Sequence, residues 1–197
     1  MGKGDSAKAK ASVLEFHPAT KDRWADVEAL FGARGACGGC WCQAWRKSAK
    51  DFAADKGEKN RRSLRTIVAK GTPPGILAYH EGKPVGWCAV APREVYVRLL
   101  TSRVLKPLDV KPVWSVSCLF ILKPYRRQGI SSKLLKTAAE FVKKKGGKIV
   151  EGYPVIPYSG QMPDAFAWTG LPACYENAGF KVAGSWSSKR PIVRKYL

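Results

Sequence analysis

Acid is scarce in this chain. Fifteen Asp and Glu stand against thirty-five Lys and Arg in 197 residues, a formal charge of +20, and there are only two histidines. So few carboxylates leave few candidates for a general base, while the charge favours phosphate-bearing ligands, nucleic acid or acidic surfaces without choosing among them. The basic residues fall in separate runs such as KAKAS, EKNRRSLR, FVKKKGGK and SSKRPIVRK, the usual form of a solvated face. The interleaved aromatic and basic residues of an RNA-recognition signature are missing, and no helix carries a dense basic face. A nucleic-acid- or ribosome-associated binding protein is therefore the alternative reading. No apolar run approaches the length of a membrane span, and the opening MGKGDSAKAKAS lacks the apolar core of a secretory signal. These absences predict a cytoplasmic protein with no membrane partner. No internal repeat or domain boundary shows. At this length the sequence predicts a flexible tail over residues 1–12 and one domain over 13–197.

The six cysteines are scattered through a chain with an ample core, so a disulfide framework is not required and free thiols in a reducing compartment fit better. Three of them, Cys37, Cys40 and Cys42, lie in GACGGCWCQAWR. Cys-x-x-Cys-x-Cys offers three soft ligands where a closed zinc site wants four. His17, His80 and Cys174 are far off in sequence, and no second pair has the usual spacing. No metal is expected.

What is present reads as strand, helices, hairpin, strand, helix, strand, helix, strands. VLEFHPAT predicts a strand and KDRWADVEALFG a helix with Trp24, Val27, Leu30 and Phe31 on one face. A glycine- and cysteine-rich stretch and a polar one lead to a second helix in GEKNRRSLRTIVAKG. GILAYHEGKPVGWCAVAP predicts a hairpin turning at EGK. After a basic linker over 92–112, VWSVSCLFIL is an apolar run of strand length. ISSKLLKTAAEFVKKKGG is an amphipathic helix whose buried stripe is Ile130, Leu134, Leu135, Ala138, Phe141 and Val142. KIVEGYPVI, LPACYENAGF, FKVAGSWS and PIVRKYL add a strand, a short helix and two strands. The fold class predicted is mixed α/β: a central, mostly antiparallel twisted sheet with one parallel βαβ step, flanked by helices.

Between that apolar strand and the amphipathic helix stands RRQGIS. If the strand ends at Leu122 and the helix begins at Ser131 or Ser132, the amides of residues 127–131 converge at a helix N-terminus, where unpaired donors and the helix dipole favour an anion. Gly129 lets a phosphate come close to the backbone, and Arg126 adds a fixed charge. An ordinary strand-to-helix turn has the same spacing.

The stretch 119–135 resembles the pyrophosphate loop of the GNAT superfamily of acyl-CoA-dependent N-acetyltransferases. Its signature of Gln or Arg, two residues, Gly, one residue, then Gly or Ala is matched by Arg126 and Gly129, with Ser131 as the last small residue. CYENAGF is similar to the family's C-terminal Tyr-x-x-x-Gly-Phe helix, and the element order agrees over most of the chain. The resemblance implies acetyl-CoA as co-substrate and direct transfer of its acetyl group to a primary amine in a ternary complex. It implies that Leu119, Phe120, Ile121 and Leu122 meet the pantetheine arm and the thioester carbonyl, with the amide of Leu119 or Phe120 as oxyanion donor. Arg126, Arg127, Gln128, Gly129, Ile130, Ser131 and Ser132 would hold the pyrophosphate.

Tyr175 falls where relatives place a tyrosine near the cofactor sulfur, as acid toward the leaving thiolate, although a short amphipathic helix also buries such a ring. Where many relatives carry a glutamate before the loop, this chain has Ser115 and Ser117. Glu151 is then the first candidate base, followed by Asp164 and His80, with a structural ion pair as its other reading and water as another route for the proton. The region before the hairpin commonly helps form the acceptor site, so Trp41, Trp45 and Arg46 are candidate acceptor contacts, as are Phe166 and Trp168 in DAFAWTG. The missing glutamate also leaves open a CoA-binding relative without turnover.

Overall fold

The structure is a computed structural model that describes residues 14–158 and 162–197. The expected tail over 1–12 lies outside the described residues. Strand β1 (Leu14–Pro18) leads through a 3-10 turn to helix α1 (Trp24–Phe31), which buries Trp24, Val27, Leu30 and Phe31 at the expected spacing. Helix α2 (Ala49–Ala54) is capped by the Ser48 hydroxyl, which accepts from the Asp51 amide at 3.1 Å. The sequence did not announce it, because none of its residues is buried and no apolar stripe marks it. Helix α3 (Glu58–Ala69) then buries Leu64 and Val68.

Strands β2 (Gly75–His80) and β3 (Lys83–Pro92) form the hairpin, turning at Glu81 and Gly82, whose positive φ values of 50° and 75° suit a tight two-residue turn. The basic linker holds a 3-10 turn at Arg93–Val95 and one helical turn, α4 (Val97–Leu100). Strand β4 (Trp114–Ile121) and helix α5 (Ile130–Lys144) carry the loop between them, and strand β5 (Ile149–Gly152), helix α6 (Pro172–Glu176) and strands β6 (Lys181–Ser185) and β7 (Pro191–Tyr196) complete the order. Among the described residues no helix is long and apolar enough to cross a membrane.

The strands make one seven-stranded sheet in the order β1-β2-β3-β4-β5-β7-β6. Every neighbouring pair is antiparallel except β4 with β5, the βαβ step through α5, so the predicted mixed α/β class holds. Helix α5 covers one face with Ile130, Leu134, Leu135, Ala138, Phe141 and Val142, the stripe its periodicity foretold, against Ala78, Val116 and Leu119 of the strands. Helices α1 and α3 cover the other, packing Phe31 and Leu64 near Leu77, Trp87 and Trp41.

The parallel pair positions the site. Strands β4 and β5 are in register only at Trp114 with Val150, Ser115 with Glu151 and Val116 with Gly152. There β5 stops, while β4 runs on to Ile121, so beyond Val116 the edge of β4 that faces β5 loses its partner strand. What parts the strands is packing at the end of β5. The Tyr175 ring lies so close to Gly152 that a Cβ on this glycine would stand 2.1 Å from Cε1 of the ring. Only a residue without a side chain admits the ring into the notch.

Candidate functional site

The corner after β4 is built by backbone conformation. A 3-10 turn at Lys123–Tyr125 leads to Arg126 in extended conformation, Arg127 takes the left-handed φ of 61°, and Gly129 caps α5 with φ 75°. The helix starts at Ile130, one turn-position earlier than Ser131 or Ser132, because left-handed Gly129 already turns the chain into it. Its first intrahelical bond runs from the Lys133 amide to the Gly129 carbonyl at 3.2 Å, which leaves the amides of Ile130, Ser131 and Ser132 as donors with no intrahelical partner. A Cβ on Gly129 would meet nothing within 4 Å. The corner thus presents backbone donors beside open space at the positive end of a fifteen-residue helix. Gln128 ties the turn together, donating from Nε2 to the Pro124 carbonyl at 2.9 Å. Arg126 spans corner and strand, with Nε on the Ile121 carbonyl at 2.9 Å and Nη1 on the Asp164 carboxylate.

The structure also separates the two expected oxyanion donors. Phe120 sits opposite Trp87 of β3 and the Leu122 amide donates back to Val85, so by strand alternation Leu119 and Ile121 address the open edge. The Leu119 amide donates there to the Trp168 carbonyl at 2.7 Å. Tyr175 is fully buried in the same notch, and its hydroxyl donates to the Thr169 carbonyl at 2.9 Å. Burial, which disfavours the phenolate, pushes its pKa well above the ordinary range. Gly170, at φ 87°, passes between them; a Cβ on it would be 2.8 Å from Cε2 of Tyr175 and 3.0 Å from Cδ1 of Leu119.

Both candidate carboxylates, Glu151 and Asp164, are engaged by arginines. Glu151 has no exposed surface; one oxygen accepts from Arg93 Nη1 at 2.8 Å and from the Tyr153 hydroxyl at 2.6 Å, the other from Arg194 Nε at 2.7 Å. This is the ion-pair arrangement and not that of a free base, since each oxygen already has a guanidinium and none reaches open space. Asp164 is exposed but bound to Arg126, and His80 lies beside Tyr125, ring centroids 5.1 Å apart, at the far end of β2. Arg93 and Tyr153 were missed in sequence, one in a basic linker and the other in a supposed strand. Ser115 completes their network, its hydroxyl 2.7 Å from that of Tyr153.

The five candidate acceptor contacts divide. Trp45 packs against Tyr96, Tyr153 and Trp168, with centroids 6.5, 5.4 and 5.4 Å away, and Arg46 lies over the Tyr96 ring at 5.0 Å, so Trp45, Arg46 and Trp168 share one aromatic cluster beside the notch. Trp41 instead stacks on Trp24 and packs at a tilt against Phe31 in the core, while Phe166 is 64% exposed. The three clustered cysteines are free thiols, with Cys37 exposed, Cys40 half-buried and Cys42 buried. Cys42 is buried and its Sγ accepts from the Trp87 indole N–H at 2.9 Å. A hydrogen bond from Cys118, with the indole's help, holds that thiol below its usual range, whereas burial raises Cys40 to about 11. Among the described residues no three His, Cys, Asp or Glu side chains gather as a metal site would require.

Sequence comparison places β4, the glycine corner and β5 within one family match. The model of the acetyltransferase (GNAT) family matches residues 41–152. The chain belongs to the GNAT family. Solved structures of GNAT acetyltransferases share its fold at low identity. PaiA N-acetyltransferase from Thermoplasma acidophilum, in complex with coenzyme A, is 16% identical with a TM-score of 0.52, over 94% of this chain and 99% of that one. Ribosomal-protein-alanine N-acetyltransferase from Brucella melitensis is 16% identical with a TM-score of 0.52, over 93% and 99%. The Drosophila melanogaster polyamine N-acetyltransferase, which forms N-acetylagmatine, is 10% identical with a TM-score of 0.55, over 94% and 100%. No curated protein sequence matches the chain significantly. Structures named for such different acceptors share the fold, so the fold does not speak for a substrate.

Proposed function

We propose that this protein is an acetyl-CoA-dependent N-acyltransferase of the cytoplasm, working as one unit over residues 13–197 and moving an acetyl group to a primary amine within a ternary complex. The observation that carries the reading is the corner at Arg126–Ser132: left-handed Gly129, unpaired amides at the head of α5 and space where a glycine Cβ would stand. These features fit a pyrophosphate, and Arg126 and Arg127 supply charge for it. Leu119 to Leu122 offer the strand edge along which a pantetheine arm can pair. Acetyl-CoA supplies the activated acyl group.

The chain's own groups divide the remaining work. The Leu119 amide is the donor for the oxyanion, because it alone of the two candidates lies on the open edge. Tyr175 stands in the notch as the acid toward the departing thiolate; its raised pKa keeps it protonated, the form an acid needs. With both oxygens of Glu151 held by arginines, we assign the amine's proton to water leading to solvent. Trp45, Arg46 and Trp168 form the acceptor wall, with Phe166 at its rim. The engagement of Glu151 and Asp164 by arginines favours a second reading, acyl-CoA binding without turnover.

Thiol release from acetyl-CoA, measured against a panel of small amines, amino acids and peptides, tests the reading. Release that depends on one amine class supports transfer. Acetyl-CoA binding with no release for any amine supports the second reading, and absence of binding overturns both.

A further inference from the structure

One short segment holds three groups that the proposed function assigns to acyl-CoA. The Asp164 carboxylate takes Arg126, the Trp168 carbonyl takes the Leu119 amide at 2.7 Å, and the Thr169 carbonyl takes the Tyr175 hydroxyl at 2.9 Å. Phosphate clamp, oxyanion donor and acid are thereby occupied together, by six consecutive residues that lie across the open edge of β4.

We propose that Asp164–Thr169 is a strap that competes with acyl-CoA for the notch, so that loading requires the strap to exchange its contacts for those of the co-substrate. The inference rests on the function proposed above.

The construction of the segment suits exchange. Its grip on the notch is one ion pair between partly exposed side chains and two backbone carbonyls. Asp164, Ala165 and Phe166 are exposed, Phe166 to 64%, so lifting them costs little buried apolar area. The closed form also leaves a polar group unsatisfied: Thr169 is fully buried and its hydroxyl has no hydrogen-bond partner, an arrangement that weakens it relative to one in which that group is paired. Gly170, at φ 87°, gives the next residue the backbone freedom to turn the two carbonyls away. Trp168 remains the anchor, its ring edge-on to Trp45 at 5.4 Å. Opening therefore swings the Asp164 end while the tryptophan end turns in place.

Competition of this kind has a sign that ordinary loop ordering lacks. Adding coenzyme A, which carries the phosphates and pantetheine without the acetyl group, should slow amide hydrogen exchange in 126–132 and accelerate it in 162–170. Asp164→Asn should tighten coenzyme A binding roughly two- to fivefold at low salt, the range of a partly exposed ion pair, with the gain fading at high salt. Slower or unchanged exchange in 162–170 alongside protection of 126–132 would overturn the strap and leave the function standing. No protection of 126–132 in either protein overturns the function and the strap with it. Equal affinity of Asp164→Asn and wild type at low salt also removes the competition, because the ion pair is its charged contact.

Discussion

Two arginine–carboxylate pairings flank the notch, and their difference lies in water. Glu151 sits on β5 with no exposed surface, clamped by Arg93 at 2.8 Å and Arg194 at 2.7 Å, with the Tyr153 hydroxyl on the same carboxylate. Asp164 meets Arg126 in solvent, with side chains 60% and 32% exposed. Inside, the pair cannot be opened without leaving a charge unsolvated, so it is part of the fold. At the surface the same chemistry is weakly held and screened by salt, and a phosphate can take the carboxylate's place. The buried pairing is locked into the fold beside β5, whereas the exposed one is open to exchange with solvent ions.

The largest test of that contrast is Glu151→Ala, which strands Arg93 and part of Arg194. Loss of about 3–5 kcal/mol of stability, a fall of roughly 10 °C in melting temperature, is expected by calorimetry or thermal unfolding. Glu151→Gln, which keeps the shape, should lose less. A soluble, active Glu151→Ala protein with near-native melting would erase the distinction between the two pairs.

Tyr175→Phe comes next. Its hydroxyl is assigned to the thiolate, so turnover should fall by up to about 10²-fold while acetyl-CoA affinity barely moves, water replacing part of the proton supply. Single-turnover kinetics with a known acceptor measure it. Lost affinity with retained turnover would make Tyr175 a packing residue.

Gly129→Val forces a branched side chain into left-handed backbone and fills the open corner. Acetyl-CoA affinity should drop by tenfold or more in a protein that still unfolds cooperatively. Calorimetric titration decides, and unchanged affinity would remove the corner from the site.

The smallest effect belongs to Arg126→Ala. The backbone donors of Ile130–Ser132 remain, so affinity should weaken only a few-fold, and less at high salt. A loss as large as that of Gly129→Val would mean that the guanidinium, and not the backbone, holds the phosphates.

The fold was legible where side-chain periodicity mirrors burial. Helix α5 followed its stripe of Ile130, Leu134, Leu135, Ala138, Phe141 and Val142, and β4 its continuous apolar run, because α5 lies on one covered face of a sheet whose two faces are both packed. Helix α2 and the turn of α4 escaped, being too short or too exposed to leave a pattern. The strand expected through KIVEGYPVI stops at Gly152, because the Tyr175 ring, distant in sequence, occupies the place where pairing would continue.

The site divides in the same way. By itself the sequence determined the glycine corner, since a left-handed glycine between a strand and a helix is a local matter of backbone conformation and unpaired amides. It could name Leu119 and Phe120 but not which amide faces the open edge; the pairing of β4 with β3 decided that. It could name Glu151 but not foresee that Arg93 and Arg194, fifty-eight and forty-three residues away in sequence, would close around it. Nor could it show that DAFAWT lies across the notch. Conformation at a turn is written in neighbouring residues, whereas the partner of a charge or of a strand edge is settled only when distant segments compete for the same space.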